Sequence, residues 1–92
     1  MSRRVPARIA ADSERLLDEV GPGPGRLLEL ATAGIHAPVF ALAGWEVVVA
    51  EDSPSARERA RERARHLADV VARDEVTGTF DVVLDHGQVV RP

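Results

Sequence analysis

Apolar and polar residues alternate along this chain in two periods. From Ala7 to Val20 the apolar positions Ile9, Leu16, Leu17 and Val20 share one helical face, with Asp12, Glu14, Arg15, Asp18 and Glu19 elsewhere. Residues 1–6 read as an arm ahead of this helix. Gly21-Pro22-Gly23-Pro24-Gly25 then stops the helix in a turn or short hinge, because proline removes donors and glycine adds chain entropy. Arg26–Leu30 (RLLEL) is an apolar run of strand length. Ala31–Ala43 reads as a short helix of small residues, with Pro38 placed in its first turn and Gly44 as C-cap. Trp45–Ala50, with three successive valines, is the clearest strand. Ser53-Pro54 is a helix start, serine capping and proline at the first helical position. That helix is expected to run to about Leu67. Ala56, Ala60 and Ala64 lie in a narrow arc flanked by arginines whose stems cover the margins. Asp69–Arg73 continues the helix or forms a strand at Val70-Val71. Thr77-Gly78 turns the chain, Phe80–Leu84 is a strand, and Gln88–Val90 is a short terminal one.

Alternating helices and strands imply parallel pairing with right-handed crossovers, an α/β domain. With 92 residues there is room for one domain, residues 1–92, and a modest core.

Composition narrows the functional classes. Cysteine is absent, which excludes disulfides, thiolate metal sites and thiol nucleophiles. Fifteen acids against twelve bases give a net charge of −3, which argues against a dedicated nucleic-acid binder. Arg57–Arg65 (RERARERAR) is locally basic, but its glutamates stand three residues before Arg61 and Arg65, and aromatic content is only 3%. A solvated, internally paired helix face is the expectation there. No apolar run approaches the roughly 20 residues of a membrane span, and Met1-Ser2-Arg3-Arg4 leads into no apolar segment, so a cytoplasmic location is expected. His36, His66 and His86 lack metal-ligand spacing. Asp85-His86-Gly87 reads as a turn, with acid–base chemistry by Asp85-His86 the alternative. No catalytic or metal-ligating residue is assigned.

Five segments together resemble the N-terminal half of class I S-adenosylmethionine-dependent methyltransferases. Leu16–Leu30, LLDEVGPGPGRLLEL, is similar to the helix end, turn and first strand of that family. Gly44–Pro54, GWEVVVAEDSP, is similar to the second strand and its acidic end. The Ala/Arg/Glu-rich helix follows, then Ala68–Asp74 as a third strand with a trailing aspartate, and Phe80–Leu84, FDVVL, as the fourth strand. The resemblance implies half of a Rossmann-like fold: a three-layer α/β/α unit with a mostly parallel sheet of about four strands in the order 3-2-1-4. It also implies cofactor-binding candidates. Glu51 stands where the family's acid meets the ribose hydroxyls, Asp74 where an acid meets the adenine amino group, and Glu29 at the first-strand acid. Gly34 is what remains of the glycine-rich loop.

Two departures shape the functional expectation. The family's loop glycines fall on Ala31, Ala33 and Ile35, so close approach of backbone to cofactor is hindered by three side chains. The family core has seven strands, and four are matched. The expected function is a methyltransferase-like remnant, a non-catalytic binding or assembly module with little or no affinity for S-adenosylmethionine. The alternative is half of a methyltransferase that binds this cofactor on dimerising or with a partner chain. An apolar fourth strand at a sheet edge predicts a homodimer joined there, with Gln88–Val90 folding back over that edge as the competing arrangement.

Overall fold

A computed structural model describes the backbone of residues 7–92 and the side chains from Ala11 onward. The arm expected over 1–6 and the apolar position at Ile9 lie outside those described residues. The elements are α1 (Ala7–Val20), β1 (Arg26–Leu30), α2 (Ala37–Leu42), β2 (Glu46–Ala50), α3 (Pro54–Ala64), β3 (Ala68–Val71), a 3-10 turn at Arg73–Glu75, β4 (Val82–Asp85) and β5 (Gln88–Val90). The sheet runs β3-β2-β1-β4-β5, with β1, β2, β3 and β4 parallel and β5 antiparallel to β4. This is the α/β architecture and the 3-2-1-4 order expected, extended by a fifth strand.

Local chemistry explains most of the boundaries. Ser53 caps α3 by accepting the Ala56 N–H at 3.2 Å, with Pro54 as the first helical residue. The helix stops at Ala64, short of the expected Leu67, because Arg65 turns into the left-handed region (φ 54°). Val70 and Val71 therefore belong to a strand and not to a longer helix. The helix expected over Ala31–Ala43 begins only at Ala37. Ala31, Ala33 and Gly34 all have positive φ, which no right-handed helix accommodates. Pro38 sits in the first turn of α2, where a missing N–H costs nothing. The turn between β4 and β5 uses His86 (φ 51°) and Gly87 (φ 74°), the two successive left-handed residues of a type I′ hairpin. Asp85-His86-Gly87 is thus a turn, and β5 folds back along β4.

The helices pack on one face of the sheet. Leu16 of α1, Ala37 and Phe40 of α2, and Ala60 and Ala64 of α3 close over Leu27, Val47, Val49, Val82 and Leu84. The right-handed crossover rule accounts for this: successive steps from β1 to β2 to β3 move in one direction and put both connections on one side. The return from β3 to β4 crosses on the other side, where the described residues contain no α-helix. There Val76 and Phe80, with Leu30, Val71 and Val83, cover Leu28, Val48 and Ala50. Of three layers expected, the helical layer and the sheet are present, and loop residues stand in the third.

At the amino end of the sheet, Arg26 gathers distant segments. Its backbone N–H donates to Asp81, its side chain to Glu46 and to the carbonyls of Thr77 and Thr79, and its guanidinium lies 4.4 Å from the Phe80 ring centre. The Gly21–Gly25 segment is likewise packed. A Cβ on Gly23 would meet the Gly44 carbonyl oxygen at 2.3 Å, and the Trp45 indole N–H donates to the Gly21 carbonyl at 2.9 Å.

Candidate functional site

The parallel strands direct their carboxyl ends to one rim, where ligands bind in open α/β sheets. Strand alternation places Leu27 and Glu29 of β1 on the helix-covered face, together with Val47, Val49 and the following Glu51. Glu29 and Glu51 therefore converge beneath the 31–36 loop. Glu29 is fully buried. One carboxylate oxygen, Oε2, accepts from the Thr32 hydroxyl and from the His36 backbone N–H at 3.3 Å, while Oε1 has no partner among the described residues. Burial pushes the Glu29 pKa above its ordinary 4.5, and the nearby Glu51 charge adds to this. The bonds from Thr32, His36 and Ala37 partly offset it.

Glu51, also buried, accepts the Ala33 N–H on Oε2 at 3.0 Å. The Ala33 carbonyl in turn accepts from the Arg63 guanidinium of α3 at 3.0 Å. The loop is thus clamped on both sides of Ala33. Arg57 donates to the carbonyls of Glu51 and Asp52 at 2.8 and 2.7 Å, fixing the chain where β2 leaves the sheet. Two of the α3 arginines therefore hold backbone at this rim. Among the described residues, no ion pair joins Glu58 or Glu62 to Arg61 or Arg65. Long exposed side chains gain little from such pairing.

The loop retains a glycine-like backbone without the glycines. Ala31 (φ 67°) and Ala33 (φ 46°) are left-handed, a conformation that costs a side chain about 1 kcal/mol or more. Gly34 (φ 76°) faces α3, where a Cβ would lie 3.3 Å from Ala60. Its smallness lets loop and helix approach.

The four expected cofactor contacts separate on this geometry. Glu29 and Glu51 come together beneath the loop, Gly34 packs against α3, and Asp74 is exposed in the 3-10 turn beyond β3. Two residues that sequence reasoning missed join the first pair. Ser13 of α1 and His36 ahead of α2 are both buried, with Ser13 Oγ 2.7 Å from His36 Nδ1. They lie 23 positions apart on no shared motif, so periodicity carried no signal for them. His86 is exposed and bonded to Asp85 at 2.8 Å.

No family model and no curated relative matches the sequence. Solved structures do. A glycopeptide N-methyltransferase, MtfA, is 25% identical with a TM-score of 0.69, over 84% of this chain and 38% of that one. Coclaurine N-methyltransferase, solved with N-methylheliamine and SAH, gives a TM-score of 0.73 at 19% identity, over 91% and 28%. A TehB-like SAM-dependent methyltransferase from Corynebacterium glutamicum gives 0.65 at 20% identity, over 85% and 48%. The fold is that of a segment of SAM-dependent methyltransferases, as the sequence resemblance implied. The chain spans 28 to 48% of these three neighbours. Among the described residues no helix is long and apolar enough to cross a membrane.

One Glu51 oxygen accepts the Ala33 N–H, and alanine side chains occupy two left-handed positions of the loop.

Proposed function

We propose that this domain is a methyltransferase-like binding or assembly module that does not itself transfer methyl groups. The side chains at the left-handed positions Ala31 and Ala33 carry the reading, because they stand where the loop backbone would have to approach a bound nucleoside closely. Calorimetric titration with S-adenosylmethionine and S-adenosylhomocysteine is expected to show weak binding or none. Micromolar affinity at one site per chain would overturn the proposal.

A second reading has its own support. Ala31 and Ala33 keep the torsions of a glycine loop despite their side chains, which favours half of a methyltransferase that takes up cofactor on dimerising or with a partner chain. On this reading cofactor binding appears with assembly, and Glu51→Ala abolishes it.

Assembly itself is proposed as a homodimer through the fourth-strand region, although β4 is not the open edge expected: β5 folds back over it, the arrangement that competed with the dimer in the sequence reading. The edge available there is β5, and the loop-covered face bearing Val83 adjoins it. Light scattering at micromolar concentration checks this, a mass near 9.9 kDa counting against it. If a dimer forms, a folded monomeric Val83→Arg variant places the interface at this end of the sheet.

A further inference from the structure

The buried Ser13–His36 pair stands apart from the proposed binding function, and its position suggests a mechanical role. The second half of α1 is anchored by apolar contacts: Leu16, Leu17 and Val20 all join the core. Earlier along the described part of the helix, Ala11 and Asp12 are exposed, and Ser13 is the buried residue. Ser13 meets His36 in the loop that carries Ala31 and Ala33, so this contact ties the front of α1 to the candidate rim.

We infer that α1 is a strap over the 31–36 loop whose front half is latched by the Ser13–His36 hydrogen bond and released by acid. With a proton on Nε2, neutral His36 accepts the Ser13 hydroxyl at Nδ1. In the imidazolium both ring nitrogens are donors, so Nδ1–H can only donate to the Ser13 oxygen, and the buried hydroxyl hydrogen loses its acceptor. A positive charge is then confined in a buried site, which favours opening that hydrates the ring.

The charges around the ring do little to rescue the cation. From α1, Asp12 favours it and Arg15 opposes it, and these two exposed groups pair with one another at 3.7 Å. From β1, Glu29 accepts the His36 backbone N–H. At the β4–β5 turn, a Cβ on Gly87 would stand 3.9 Å from Nε2, and the flanking Asp85 and His86 bond to each other. From α3, Arg63 donates to Ala33 in the same loop. Among the described residues the ring itself has no carboxylate partner. Burial accordingly holds the His36 pKa below its ordinary 6.5, with Asp12 acting the other way. A lowered folded-state pKa contributes stability that is present above 6.5 and is lost as pH falls through the lowered value.

Amide hydrogen exchange on the full chain, corrected for intrinsic rates, tests the latch between neutral pH and about pH 5. The amides of Ala11, Asp12 and Ser13, the first in α1 with intrahelical acceptors, are expected to open while β1 and β2 stay protected. The opening should rise by up to about tenfold per pH unit, the limit for release coupled to one proton. In His36→Gln the acid-driven opening should vanish, leaving only the opposite, stabilising trend from Glu29. In Ser13→Ala the front of α1 should be poorly protected at every pH, and this variant carries the test if His36→Gln does not fold. An unchanged pH profile in His36→Gln overturns the inference, as does loss of protection in α1 and the sheet together. Equal protection of α1 in Ser13→Ala and the parent chain overturns it too.

Discussion

The two ends of β1 solve opposite problems. At the amino end, Arg26 spends its backbone N–H, guanidinium and planar face on Asp81, Glu46, Thr77, Thr79 and Phe80. At the carboxyl end, Glu29 is sealed from solvent with one oxygen unpaired among the described residues, beneath a loop in which two alanines adopt left-handed torsions. Saturated bonding fixes the chain at one end. Unsatisfied polarity and strain collect at the other, which is where α/β sheets bind ligands. The difference locates the candidate site without any bound molecule.

That contrast can be broken most forcefully at the amino end. Arg26→Ala removes the guanidinium bonds and the contact with Phe80, and is expected to cost about 1–3 kcal/mol. Chemical denaturation should show a lower midpoint with an unchanged slope. An unaltered midpoint would mean that the Thr77–Asp81 loop holds itself.

At the carboxyl end the expected effects depend on pH. The raised Glu29 pKa makes its contribution complete below 4.5 and lost as pH rises through the folded-state value. The parent chain should therefore gain stability relative to Glu29→Gln as the medium is acidified from neutral. A difference that stays flat across this range would show that Glu29 ionises as freely in the fold as outside it.

The strained loop should respond in the opposite sense to Arg26. Ala31→Gly and Ala33→Gly relieve a left-handed side chain but add unfolded-state entropy, leaving a net gain of about 0.5 kcal/mol each. A fall in thermal midpoint would show that the alanines are unstrained there.

Comparably small effects separate two neighbouring arginines. Arg63→Gln loses its bond to the Ala33 carbonyl and should cost about 0.5–1 kcal/mol. Arg59→Gln, exposed on the same helix, should stay within about 0.5 kcal/mol. Equal values would leave the Ala33 clamp without energetic weight.

Much of the fold was legible in the sequence because its signals are local. Val47–Val49 announces a strand, Ser53-Pro54 a helix start, and Gly21–Gly25 a break. The substitutions at Ala31 and Ala33 were legible as well, although not the torsions they adopt. What stayed hidden depends on residues far apart in the chain. Arg26 read as one end of an apolar run because its partners lie at 46 and 77–81. Arg63 read as a solvated residue because the carbonyl it holds belongs to residue 33. The single helical layer was hidden too, since handedness assigns faces only after strand order is known.

The His86-Gly87 hairpin also bears on the order of folding. β4 and β5 are joined by two residues, so their pairing needs almost no loop closure and belongs to microsecond events. The Arg26–Asp81 contact beside the β1–β4 pairing spans 55 positions. Pairing β5 with β4 therefore costs little loop-closure entropy, whereas pairing β4 with β1 must close a far longer stretch of chain and carries most of the entropic cost of completing the sheet.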